Sequence, residues 1–131
     1  MTARPEYNAN KGVTRMSDAD CLFCKIAAGA IPADIVKQGP DWVAFRDISP
    51  QAPTHILIIP RQHIATLNDV GPEKADLLGG LFLAAKEIAA EEGIAESGYR
   101  TVFNCNAGAG QSVFHIHVHL LGGRDMGWPP G

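Results

Sequence analysis

His115-Ile116-His117-Val118-His119-Leu120-Leu121 is the stretch on which the fold turns. Aliphatic and imidazole side chains alternate along it, and strict alternation predicts a half-buried β-strand. Ile116, Val118 and Leu120 are then expected to face the core, with His115, His117 and His119 sharing the other face. Three of the chain's five histidines fall here. Imidazole is the side chain most easily poised near neutral pH, so a row of three points to chemistry. The alternative is an exposed strand face that merely carries histidines. The flanking Gly110-Gln111-Ser112 and Gly122-Gly123 read as parts of the same site and argue against it.

Spacing limits what the row can do. Alternate Cα atoms of a strand lie about 7 Å apart, which puts His115 and His119 roughly 13 Å apart. A neighbouring pair could share one metal, but all three could converge on one ion only in a badly bent strand. The arrangement suits a division of labour, with a central group that attacks and neighbours that orient it or carry protons. His117, flanked on both sides, is the candidate nucleophile. Upstream, Asn104, Gly108, Gly110, Gln111 and Ser112 form a Gly-rich loop whose backbone N–H groups could cradle an anion. A plain turn would have the same composition. No Gly-Lys-Ser sequence of the Walker type is present.

Going outward, the chain reads as α+β. Ile35–Gln38 and Trp42–Asp47 are strand candidates around a Gly39-Pro40-Asp41 turn. His55–Ile59 is short and nearly all aliphatic, the pattern of a central strand buried on both faces. Gly71-Pro72-Glu73 opens one long helix, with Leu77, Leu78, Leu81, Phe82, Ala85, Ile88 and Ala89 at helical spacing and Gly93 closing it. The adjacent Gly79-Gly80 suggests close packing against another backbone, with a subunit boundary as one option. Tyr99–Asn104 is a further strand. Ser17 and Asp20 match a helix-start signature ahead of Cys21–Ala28. Most links are too short for parallel crossovers, so the sheet is expected to be mainly antiparallel.

Residues 1–16 lack an apolar period and are read as a flexible tail, leaving 17–131 as one domain. The chain has 131 residues, enough for a single core, and its net charge of −3 gives no reason to expect nucleic-acid or membrane-surface binding. No apolar run is long enough to span a bilayer. An odd number of cysteines, three, fits a reducing compartment, and the cytoplasm is the expected location. Cys21 and Cys24, three apart on a helix, share a face and could hold one soft ion; two cysteines packed in a core would look the same. Cys105 has no apparent partner.

Two long stretches carry a resemblance. One is Gly110-Gln111-Ser112-Val113-Phe114-His115-Ile116-His117-Val118-His119, continuing through Leu121-Gly122-Gly123-Arg124 to Trp128-Pro129-Pro130-Gly131. The other is Phe45-Arg46-Asp47-Ile48-Ser49-Pro50-Gln51-Ala52-Pro53-Thr54-His55. Together they resemble the histidine triad (HIT) superfamily over about residues 20–131, and within it the Hint branch of purine nucleoside phosphoramidases.

The resemblance implies a HIT-like fold, a five-stranded antiparallel sheet with two helices, paired into a homodimer through the long helix and its neighbouring strand. It implies hydrolysis of the P–N bond of adenosine or guanosine 5'-phosphoramidates to the nucleoside monophosphate and an amine. His117 would form a covalent nucleotidyl-histidine intermediate. His119 would contact the phosphate and protonate the leaving group, with His115 and His55 holding and polarising the row. Ser112, with the backbone of Gln111 and Ser112, would bind phosphate or the leaving atom, and Asn104 and Gly110 would line the same pocket. Asp47 would take the ribose hydroxyls, and Leu22, Phe23, Ile26, Phe45 and Ile48 the purine. Taken one at a time, these apolar residues would more often be plain core. Trp128 would reach towards the partner subunit's site.

Many bacterial members of the superfamily carry a structural zinc, and the matching residues here are Cys21, Cys24, His63 and His115. Other Hint proteins lack the cysteines, so the chemistry is expected to need no cofactor. Two competing readings stay open: a purine-nucleotide-binding regulatory or scaffold protein with little turnover, and a zinc hydrolase in which the triad holds a catalytic metal. The 13 Å spread of the row argues against the second.

Overall fold

The computed structural model describes residues 20–131; the tail expected over 1–16 and the Ser17 cap lie outside the described residues. Five strands, β1 (Ile35–Gln38), β2 (Trp42–Arg46), β3 (Thr54–Pro60), β4 (Tyr99–Val102) and β5 (Val118–Gly122), form one sheet in the order β1-β2-β3-β5-β4. Every neighbouring pair is antiparallel. Two α-helices, α1 (Leu22–Ala27) and α2 (Ala75–Glu91), pack on opposite faces. This is the expected α+β architecture.

The central strand, β3, is buried at all seven positions. Its side chains alternate between two cores. Ile56 and Ile58 join Ala44, Val118 and Leu120 against Leu81, Ala84, Ala85 and Ile88 of α2. Leu57 and Ile59 join Val43 and Phe45 against Cys21, Phe23 and Ile26 around α1. The helical spacing of Leu81, Ala84, Ala85 and Ile88 turns one face of α2 to the sheet. Pro72 starts a 3-10 turn, Pro72–Lys74, that leads into α2, and Gly93 at φ +77° ends it, as a left-handed C-terminal glycine does.

Strands β2 and β3 differ from the sequence reading by one residue at one end or both, and three other boundaries bear on the site. Helix α1 is capped by Cys21, whose Sγ accepts the Cys24 N–H at 3.3 Å. Strand β4 stops at Val102, leaving Asn104 in the loop. Strand β5 begins at Val118, so His115, Ile116 and His117 precede it. The reason lies in Pro60, which has no N–H to give. Its carbonyl takes the Nε2–H of His115 at 2.8 Å, while the N–H of Ile116 turns to the carbonyl of Ile64 at 2.8 Å. The ladder with β3 therefore ends at the Ile58–Val118 pair. The row is bent where a regular strand was expected.

No helix among the described residues is long and apolar enough to cross a membrane. The core makes a direct prediction. Ile58 is fully buried between β2, β5 and α2, and Ile58→Ala should cost about 2–5 kcal/mol. Urea unfolding would register this as a lower midpoint with an unchanged slope.

Candidate functional site

The α1 face of the sheet holds a pocket of about 660 Å³. Leu22, Phe23 and Ile26 of α1, Phe45 of β2 and Leu57 of β3 supply apolar wall, with Ile31, Pro32 and Ala33 from the segment after α1. Asp47, Ser112, His117 and His119 line it as well, and Ile48, 98% exposed, stands at its rim. Phe23 organises this corner: its ring meets Phe45 at 5.5 Å, His117 at 5.1 Å and His115 at 5.9 Å, each nearly edge to face. An apolar slot that ends in imidazoles, a hydroxyl and a carboxylate suits a flat heterocycle joined to a polar, charged group.

Each imidazole's proton can be placed from its hydrogen bonds. A backbone carbonyl only accepts, so His117, 2.8 Å from the His115 carbonyl through Nδ1, carries its proton there. Its Nε2 is then a bare lone pair. His55 is the reverse case. The Gln51 N–H reaches its Nδ1 at 3.0 Å, so Nδ1 accepts and Nε2 carries the proton. That proton points at His119 Nδ1, 2.9 Å away, with the Asp47 carboxylate at 3.4 Å. His119 must therefore accept through Nδ1 and present Nε2–H. His117 and His119, with ring centroids 4.9 Å apart, thus offer a nucleophilic nitrogen and a donor side by side.

The electrostatics keep these rings neutral. Burial pushes His117 below the usual imidazole range, against the pull of the His115 carbonyl and Asp47. Burial also lowers His55, opposed by Asp47. His119 falls furthest, to about 4, first through burial and then through the neighbouring His117 and His55.

Other expected residues lie elsewhere. Gln111 is buried in the loop: its Oε1 accepts the Asn106 N–H at 2.7 Å, and its Nε2 donates to the carbonyls of Ala65 and Val113. Its own N–H donates to the Asn106 carbonyl at 3.1 Å, so this amide serves the loop and does not face an anion. Gly110 takes φ +92° after the 3-10 turn Ala107–Ala109, a conformation that favours glycine. Asn104, Gly110 and Gln111 do not line the pocket. Trp128 is 84% exposed and also lies outside the lining. Sequence reasoning missed Ile31, Pro32, Ala33, Asp34, Arg46, Leu57 and Val113. Leu57 had a signal in its alternation with the core residues of β3, and Arg46 and Val113 lie inside the two stretches that carry the resemblance. Arg46 is held bidentately by Glu92 at 3.1 and 2.9 Å, which fixes the pocket edge of β2 to the end of α2.

Behind the row sits a second cluster. Cys21 Sγ, Cys24 Sγ, His63 Nδ1 and His115 Nδ1 lie within 4.8 Å of one another. Sulfur–nitrogen separations are 3.3 Å for Cys21–His115, 3.3 Å for Cys24–His63 and 3.5 Å for Cys24–His115. A tetrahedral ion with Zn–S near 2.3 Å and Zn–N near 2.0–2.1 Å sets such pairs about 3.6 Å apart. His115 is also aimed correctly, because its Nε2–H is given to the Pro60 carbonyl and Nδ1 is left to face the sulfurs. These four residues fit a structural zinc. The triad does not share one ion: His115 turns to this cluster, whereas His117 and His119 face the pocket. Asp47, His55 and His119 form another group of donors close enough for a metal. The Gln51 N–H on His55 Nδ1 keeps a proton on Nε2 and makes that nitrogen a poor ligand.

The sequence matches the family model for the HIT domain over residues 28–126. A purine nucleoside phosphoramidase of Escherichia coli strain K12 is 56% identical over 108 residues, 82% of this chain and 91% of that protein. A 14 kDa zinc-binding protein of Zea mays is 48% identical over 119 residues, 89% of this chain and 92% of that protein. The crystal structure of a HIT family hydrolase from Legionella pneumophila Philadelphia 1 superposes with a TM-score of 0.84 at 60% identity, covering 86% of this chain and all of that one. The chain belongs to the HIT domain family.

The lowered imidazoles imply a pH-dependent stability with a definite sign. His119 titrates near 6.5 when unfolded and at about 4 when folded, so between these values the unfolded chain binds more protons. Its contribution is present in full above pH 6.5 and is lost as the pH falls through 4. Urea midpoints should drop across that window, more shallowly in His119→Gln, and the His119 ring resonances should titrate near 4.

Proposed function

We propose that this HIT domain is a purine nucleoside phosphoramidase, a hydrolase that splits the P–N bond of adenosine or guanosine 5'-phosphoramidates. The observation that carries this reading is the tautomer of His117: Nδ1–H given to the His115 carbonyl and a bare Nε2 at the pocket. A neutral, desolvated imidazole nitrogen is a competent nucleophile towards phosphorus. The 56% identity to the Escherichia coli phosphoramidase supports the choice of bond.

In this reading the purine lies against Leu22, Phe23, Ile26, Phe45 and Ile48, and Asp47 accepts from the ribose hydroxyls. The phosphorus stands between Ser112 and the two pocket imidazoles. His117 Nε2 attacks it, the N–P bond forms, and the P–N bond to the amine breaks. His119 Nε2–H is placed to donate to the departing nitrogen or to a phosphoryl oxygen. His55 fixes the direction of that donation by hydrogen-bonding its own Nε2–H to His119 Nδ1. Water then attacks the nucleotidyl-imidazole and gives a proton back to His119 Nε2 in place of the one lost to the amine, which releases the monophosphate and returns His117 to its starting tautomer. No step calls on a cofactor. Zinc, held by Cys21, Cys24, His63 and His115, would serve structure by tying α1 to the segment that carries the row. The kinship with a zinc-binding protein of Zea mays supports that part.

His117→Ala should reduce release of AMP from adenosine phosphoramidates by at least about a thousandfold with purine binding retained. Full turnover in that variant would sink the mechanism, and nucleotide binding without turnover in the unaltered chain would make this a binding protein.

The functional unit is proposed to be a homodimer formed through α2. Phe82 and Leu83 there are 41% and 62% exposed. A Cβ built on Gly79 or Gly80 meets nothing within 4 Å, which leaves that surface open to another backbone. Leu83→Arg should convert a dimer to a monomer in light scattering, and a chain already monomeric before substitution would refute the pairing.

A further inference from the structure

We propose that Cys21 and Cys24 are a reversible thiol–disulfide site whose oxidation opens the purine slot. Only its metal arm rests on the zinc reading above. All three cysteines are thiols in the structure. Cys21 and Cys24 are three residues apart at the start of α1, with their sulfurs within 4.8 Å. Cα atoms three residues apart on a helix are about 5 Å apart, inside the range a disulfide spans.

The two sulfurs differ in access. Cys24 is half-buried, while Cys21 is fully buried. A peroxide of the hydrogen peroxide class would meet Cys24 first, converting the thiol to a sulfenic acid with loss of one water. The Cys21 thiol then displaces the hydroxyl of that sulfenic acid. The S–O bond breaks, the S–S bond forms, and a second water leaves. Two thiols and one peroxide become one disulfide and two waters. A thiol reductant reverses it by exchange.

The consequence for the pocket follows from what these sulfurs hold. Cys21 Sγ caps α1 by accepting the Cys24 N–H at 3.3 Å, and it sits 3.3 Å from His115 Nδ1. Closing the two sulfurs to bonding distance shifts the first turn of α1, which carries both of them. Helix α1 has six residues, far below the length that holds itself in water. Its next residues, Leu22, Phe23 and Ile26, are purine wall, and Phe23 packs on His117. A disulfide also has no thiolates left to hold a cation, so oxidation and metal occupancy exclude each other.

The test uses the full chain carrying Cys105→Ser, which leaves one thiol pair. After stepwise peroxide, peptide mass spectrometry should find Cys21 and Cys24 joined, with the loss of two hydrogen masses. Calorimetry with GMP should report a Kd raised by at least about fivefold, restored by dithiothreitol with added zinc. Zinc released to a chromogenic chelator should rise in step with the disulfide. Two results overturn the proposal: thiols that persist or pass to sulfinic acid without a disulfide, or a disulfide that leaves the GMP Kd unchanged. A protein containing no zinc at the outset refutes the metal reading alone, because disulfide and Kd are still measured. Because no turnover is read, the P–N assignment fails or stands separately.

Discussion

A neutral imidazole has one proton for two nitrogens, and this count sets the direction of the whole site. Three of the chain's histidines have one nitrogen committed to a group that can act in only one sense. A carbonyl on His117 Nδ1 and another on His115 Nε2 force those nitrogens to donate. An N–H on His55 Nδ1 forces that one to accept, and His55 passes the constraint on to His119. Consequently the lone pair of His117 and the N–H of His119 emerge on the pocket side without any reorganisation when a substrate arrives. Burial reinforces this, since it penalises the imidazolium form that would erase the distinction.

That arrangement requires the row to leave the sheet. In a regular strand paired with β3, His115 and His117 would stand on the same face as His119 and look into the same space. The missing N–H of Pro60 ends the ladder at Val118, and the freed carbonyl captures His115. The bend gives the histidines different roles. His115 turns towards Cys21 and Cys24, and its own carbonyl orients His117. One proline at the end of β3 therefore leaves His117 and His119 at the pocket and His115 at the cysteine cluster.

Much of this was legible in the sequence, for physical reasons that differ by element. The short, nearly all-aliphatic run of β3 pointed to a buried central strand, and the spacing along α2 to an amphipathic helix. The alternation at 115–121 gave β5 its existence and its core face, with Val118 and Leu120 inward. It could not give the starting residue, because the interruption comes from a hydrogen bond to a residue 55 positions away. Cys21 as the cap of α1 was hidden for a similar reason: sulfur is a weak acceptor, and Ser17 offered a better local signature. The pocket was legible in part through the motif residues. Ile31, Pro32 and Ala33 were not, since nothing in a short loop after a helix says which cavity it will border.

The placement of α1 ties these observations together. One short helix presents Cys21 and Cys24 inward to His115 and His63, and Leu22, Phe23 and Ile26 to the pocket. Its burial rests chiefly on Phe23 and Ile26, and Phe23 in turn packs on the ring of His117. The wall that would position a purine and the nitrogen that would attack its phosphate are thus set by the same few contacts. A substitution that relaxes α1 is expected to disturb binding and nucleophile orientation together, whereas one on the α2 face of the sheet would be felt first as lost stability. The two faces share β3 but do different work: Ile56 and Ile58 hold the fold, while Leu57, one residue between them, borders the site.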